Sequence, residues 1–383
     1  MPVIVKFQNY LKSLIKIITV SIFILIFILL KGVLAKVEIK NSINNNIQVT
    51  NIGPFEAIYG VEVDNELIYV PEFPSGNIYT IDKRQKIKLY NIEEGKLKSK
   101  FYNKFINKII TINSKKKIKK IHDIYLSENK NFYFTSSDGF IFIFDSKWKL
   151  KNKIGFDEKL KFPVMTHVSK DLLFITEFET HKILIYSLKT KKLVDWIGAN
   201  FFSENEKIRF KNNLWNTKSK YENIKLNKPH AIKNDDNFYF IVDTHHHRIL
   251  RFNKKNKNFA GWIGKKDDGK IMNRWTMELS ETSSSGELGA FNIPVDLQIY
   301  DNYLYVSDHS GRIIKINKNT GASLEWFGEI SKGKLGWHKE KNNYFSDGPN
   351  GLTLPYGFRI FDNSFYVSDR RTNTIKIFHN VLY

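Results

Sequence analysis

The sequence predicts an all-β chain: a six-bladed β-propeller of four-stranded blades, its sixth blade closed by an N-terminal strand. Three observations carry that prediction. A unit of short aromatic and β-branched runs recurs, with second strands LIYV (67–70), FYFT (132–135), LLFIT (172–176), FYFIV (238–242), YLYV (303–306) and SFYV (364–367). Such runs fit a pleated, half-buried surface, and four of them joined by tight turns make one blade. Fourth strands end alike, as DWIG (195–198), GWIG (261–264) and EWFG (325–328), with KNKIG (151–155) a weaker copy. The last unit then stops after three strands, while IQVTNIG (47–53) precedes the first unit and carries the same Ile-Gly ending. A blade cannot bury both faces alone, so copies are needed, and a borrowed N-terminal strand would leave no open edge.

The N-terminus comes first in order. Lys6, Lys12 and Lys16 precede an uninterrupted apolar run, Ile17 to Leu30, and Val33-Leu34-Ala35 follows. A basic region, an apolar stretch and a small residue at a cut point read as an export signal. Counting from Leu14, the same stretch approaches the length of a spanning helix. Residues 1–35 are therefore expected to form one hydrophobic helix, either a signal peptide or an N-terminal membrane anchor. Both outcomes put the rest of the chain outside the cytoplasm, in the periplasm or another extracytoplasmic space. Residues 36–46 are a polar lead-in, and 47–383 form the propeller.

The six first strands begin near Ile58, Ile121, Pro163, Pro229, Pro294 and Pro355. Third strands are NIYTI (77–81), FIFIF (140–144), KILIY (182–186), RILRF (248–252), RIIKI (312–316) and TIKIF (374–378). The spacing between first strands is uneven, and the excess falls between a fourth strand and the next first strand, at 92–118, 199–224, 265–288 and 329–352. In a propeller those connections share one face with the turns between second and third strands. Four long loops are thus expected around one channel mouth, and loops on a rigid scaffold carry function.

The net charge is +21 over 383 residues, with 51 Lys against 9 Arg. Nucleic-acid binding would favour the arginine fork. Together with the export segment, this lysine bias argues against a nucleic-acid partner. Residues 96–120 hold ten Lys and no acid. That insertion and residues 14–30 offer routes to a membrane surface. The absence of Cys excludes a disulfide framework and thiol chemistry. No Walker loop, nucleophile elbow or HExxH helix is present.

Three groups of residues stand out. An acid recurs at the end of the second strand, as Glu72, Glu177, Asp243, Asp308 and Asp369. Its regular recurrence suits turn chemistry, an Asp accepting backbone N–H bonds and pairing with a following Arg. His245-His246-His247 sits in such a turn, where three successive side chains point in different directions. Trp215, Trp275 and Trp337 lie one each in three insertions, where aromatic side chains either form a platform for sugars and apolar ligands or anchor their own loops.

The unit P-x-x-hydrophobic, YVSD-x4-RI and W-[IF]-G resembles the NHL repeat, most clearly in IVDTHHHRILRF, YVSDHSGRIIKI and YVSDRRTNTIKIF. The resemblance spans residues 47–383 and implies the propeller fold but no particular activity. The residue after each first-strand marker reads Tyr59, His122, Val164, His230, Val295 and Tyr356 around the ring, close to the expected axial channel. Here the chain resembles, more weakly, the peptidyl-hydroxyglycine amidating lyases. That resemblance implies a metal held by His residues of alternate blades, in Pro-His settings. His122 and His230 match on blades two and four; blade six has Tyr356 instead. His167 and His338 are substitutes outside the matching position.

Two functions follow. One is a binding or scaffold module that uses the loop-rich face, with Trp215, Trp275 and Trp337 as ligand contacts and a protein, glycan or other envelope component as partner. The other is a metal-dependent enzyme of lyase or lactonase type, with zinc or calcium at His122 and His230 and with Tyr59 and Tyr356 beside it at the channel mouth.

Overall fold

The computed structural model describes residues 37–382 apart from 45–46, 74, 94–95, 101–117, 119, 156–159, 200–217, 331–332 and 341–349; for 90–100 it describes the backbone. The expected N-terminal helix, Trp215 and most of the lysine-rich insertion lie outside the described residues. Among the described residues no helix is long and apolar enough to cross a membrane.

Six antiparallel sheets follow one another along the chain. Blade 4 shows the pattern. Its innermost strand, Ala231–Asn234, pairs with Phe238–Asp243, which pairs with Arg248–Asn253 and then with Phe259–Lys265. Period-two alternation puts Phe240 and Val242 on one face and Tyr239 and Ile241 on the other, and both faces are buried. A propeller blade packs on a neighbour at each side, which explains why these strands are apolar on both faces.

The core is therefore divided into six clusters, each between two blades. Tyr239, Ile241 and Leu250 of blade 4 pack on Phe174 and Ile183 of blade 3. Phe240, Val242 and Ile249 pack on Leu304, Val306 and Ile314 of blade 5. The ring closes through Ile52, Ile375 and Ile377 of blade 6 against Val61, Val70 and Ile81 of blade 1. The strand Ile47–Gly53 belongs to the sheet of the last three strands, pairing Val49 with Phe378 and Ile52 with Ile375. Trp196, Trp262 and Trp326, in the shared fourth-strand ending, are fully buried.

The insertions depart from the expectation of four loops around the mouth. Three of them contribute a fifth, outermost strand: Lys96–Lys100 on blade 1, Ile271–Thr276 on blade 4 and Lys334–His338 on blade 5. The lead-in does the same on blade 6, where Glu38–Asn44 pairs with Ile47–Gly53. The physical reason is the exposed edge of the fourth strand, whose unpaired backbone groups are satisfied when the chain turns back along it. Blade 1 differs at its centre as well. Its innermost strand is short, Glu62–Val63, and Ile58 makes an isolated bridge to Glu72.

Candidate functional site at the axial mouth

Each blade delivers two side chains to one end of the central channel. The lower ring is the residue after each first-strand marker: Tyr59, His122, Val164, His230, Val295 and Tyr356. Tyr59 stacks on His122 with ring centroids 4.5 Å apart, and His122 lies 5.4 Å from His230. Tyr356 is 5.0 Å from both Tyr59 and His230. The four candidate residues therefore form one contiguous cluster across the axis.

The upper ring comes from the turns between second and third strands: Phe73, Ser137, Phe178, His245, His309 and Arg370. A backbone N–H in each turn donates to a carbonyl just ahead of its own blade's innermost strand, as from Phe73 to Ala57, His245 to Asn227, His309 to Asn292 and Arg370 to Leu354. The recurring acid holds the same junction. Asp243 accepts from the N–H of Asn227 at 2.6 Å and from Arg248 at 2.8 Å. Asp308 accepts from Asn292 and Arg312, and Asp369 from Thr353, while Lys376 stands 3.4 Å away. The turn-chemistry reading of these acids holds, and they keep the upper ring above the lower one.

The two rings touch. Arg370 lies over Tyr59 at 4.7 Å and Tyr356 at 5.9 Å. Phe178 meets His230 and His245 edge-on, and His309 stands 5.7 Å from Tyr356. The mouth is two-sided: Phe73, Phe162 and Phe178 on blades 1 to 3, and His245, His309 and Arg370 on blades 4 to 6. The upper ring went unread in the sequence, although its residue follows the acid of the second strand, or Ser136 in its place on blade 2, directly or one position later. His245-His246-His247 diverge as expected. His246 bonds Asp243, His247 accepts the N–H of Ile293, and His245 reaches the mouth.

The mouth imidazoles are neutral. Burial drives the His122 pKa down to about 3, against the Val164 carbonyl that accepts its Nδ1–H at 3.0 Å. That bond fixes the tautomer and leaves Nε2 as an acceptor. Burial likewise takes His230 well below its ordinary value, with His122 adding to the effect. Its Nε2 is 3.2 Å from the Tyr356 hydroxyl, while its Nδ1 is buried without a hydrogen bond of normal geometry. His309 falls to about 4, mainly through burial, and its Nε2 is also buried without a partner. Burial raises Tyr356, so its hydroxyl stays protonated.

Below the mouth the channel is plugged. Arg359 bonds Glu62 at 3.0 Å, Asp296 at 3.1 Å and the Ile124 carbonyl, and lies 3.8 Å from Asp123. Lys233 reaches over Tyr125 at 5.2 Å. Burial raises the Asp123 pKa to about 7, against the pull of Arg359. The mouth thus has a charged floor.

The metal set implied by the lyase resemblance is incomplete. Two imidazoles on one tetrahedral ion have centroids about 5 Å apart, so His122 and His230 are suitably spaced. The third position is Tyr356, and its hydroxyl occupies His230 Nε2. Among the described residues no three His, Asp or Glu side chains converge on one point. His167 lies deeper, bonded to Asn234, and His338 packs on Trp326 at the outer edge of blade 5. Trp275 and Trp337 also lie away from the mouth, on the fifth strands. Their indole N–H groups donate to the carbonyls of Lys318 and Val381.

No protein-family model matches the chain, and no curated protein matches it. In fold it is similar to a structural-genomics protein of unknown function from Bacteroides thetaiotaomicron VPI-5482, with TM-score 0.52 and 9% identity over 90% of this chain and 73% of that one. It is also similar to a streptogramin B lyase, with TM-score 0.47 and 11% identity over 90% and 98%. Selenomethionine-substituted virginiamycin B lyase from Staphylococcus aureus gives 0.45 and 12% over 90% and 99%. At 9% identity the likeness to the Bacteroides protein is one of fold alone.

Proposed function

We propose that the protein is an exported binding module of NHL-repeat type whose ligand enters the axial mouth on the face where the inserted connections begin. One observation carries this reading: twelve ring positions of mixed chemistry converge on the mouth, where the buried Nε2 of His309 has no hydrogen-bond partner. Buried polar groups are nearly always hydrogen-bonded, so unfilled ones at an opening suit an incoming ligand. Arg359 closes the axis below the mouth, which suits capture rather than passage.

The test exploits the absence of Cys. His245→Cys carries an environment-sensitive fluorophore at the mouth, and Thr320→Cys carries it on the opposite face. Adding the low-mass fraction of a cell-envelope extract should change the mouth signal saturably and leave the other silent. A silent mouth label, or equal responses at both, contradicts the proposal.

A second reading, a metal-dependent lyase or lactonase-type enzyme, is favoured by the 5.4 Å spacing of His122 and His230. It predicts zinc or calcium near one equivalent in purified protein, lost in His230→Ala. Less than about a tenth of an equivalent, far below what a site of structural affinity retains, would exclude it.

A further inference from the structure

We propose that the mouth takes an organic carboxylate, with its anionic head on Arg370 and its apolar body against the aromatic side of the recess. The inference rests on the mouth being the ligand site and adds the ligand's chemical class.

Three observations carry it. The Arg370 side chain is exposed, is held over Tyr59 and Tyr356, and makes no ion pair among the described residues. A guanidinium stacked on aromatic faces keeps its edge N–H groups free for a planar oxyanion. The nearby acids cannot serve as its counterion, because Asp308 and Asp369 are engaged with backbone N–H groups and with Arg312 or Lys376. The exposed Glu179 lies on the aromatic side, near His181. His309, neutral at physiological pH, has a buried Nε2 without a partner and can donate one more hydrogen bond to an anion.

The opposite side of the mouth is mainly aromatic, with Lys228 over Phe178 at 4.9 Å and the exposed Glu179 at its rim. Phe178 sits 5.9 Å from Phe162, and Phe73 lies edge-on to Tyr59 at 5.2 Å, all of them half-buried. Half-buried rings at an opening bind apolar surface well and anionic groups poorly. A ligand matching both sides carries a carboxylate at one end and a hydrocarbon or aromatic body at the other. Inorganic phosphate meets only the first requirement.

The test compares 4-phenylbutyrate, 4-phenylbutyramide and inorganic phosphate by titration against the full-length protein labelled at His245→Cys. The carboxylate should bind about tenfold or more tighter than the amide, the span of one charge-assisted hydrogen bond. That preference should vanish in Arg370→Gln and persist in Arg371→Gln, and phosphate should bind more weakly than 4-phenylbutyrate. Equal binding of acid and amide overturns the carboxylate assignment while leaving the mouth as the ligand site. So does a label that answers the envelope extract and ignores both probes. A preference surviving Arg370→Gln overturns the role of that residue, and phosphate binding as tightly as 4-phenylbutyrate removes the aromatic side from the account.

Discussion

Buried histidine decides how this protein responds to acid. His122 and His167 are held to about 3 and His309 to about 4, each chiefly by burial, and His230 is lowered in the same way. The unfolded chain takes up these protons near pH 6.5, so between about pH 6.5 and pH 4 it binds more of them than the native state does. The stability contributed by these histidines is complete above pH 6.5 and is lost as pH falls. Asp123 works in the opposite sense, because its carboxyl keeps a proton up to about pH 7 in the native state. Its contribution declines as pH rises from about 4 to 7. Four histidines outweigh one aspartate, so the urea midpoint should rise from pH 4.5 to pH 6.5. A flat or falling midpoint over that range would show that the imidazoles are solvated. At this scale His122 and His230 were legible because each follows its first-strand marker. His309 and Arg370 were not, because a residue beside a structural acid looks like part of the turn. Only the closed ring shows that the turn residue overhangs the channel.

At the scale of the strand, the repeat was legible wherever it buries both faces. FYFIV and RILRF are apolar throughout because neighbouring blades cover both sides of the sheet. The outermost strands were not legible. Ile271–Thr276 alternates weakly, half exposed, and its main tie is backbone pairing with Phe259–Lys265. Pairing of that kind leaves little mark in side-chain composition. The insertion tryptophans follow from the same geometry. Trp275 lies against Phe240 and under Arg251, and Trp337 against Phe327 and Phe365. Each therefore fastens a fifth strand to the seam with the next blade. The long insertions thus spend part of their length at the blade edge, and what remains for the mouth is shorter than their residue count suggests.

For the whole molecule, the ring is the device that makes the site. The six clusters between blades fix where each innermost strand begins, and the acid-bound turns fix what stands above it. Repetition supplies twelve equivalent positions, and their asymmetry supplies the chemistry, aromatic on one side and donor-rich on the other. Imidazole nuclear magnetic resonance reads this arrangement directly, because the chain has 10 His at mouth, channel and rim. The most direct measurement is a titration of the ¹⁵N-histidine-labelled protein with the envelope extract fraction and with 4-phenylbutyrate. The His122, His230, His245 and His309 signals should shift together with one affinity, while those of His338 and His379, at the blade edges, stay fixed. Shifts confined to His338 and His379, or a spectrum that neither addition changes, would contradict a ligand site at the axial mouth.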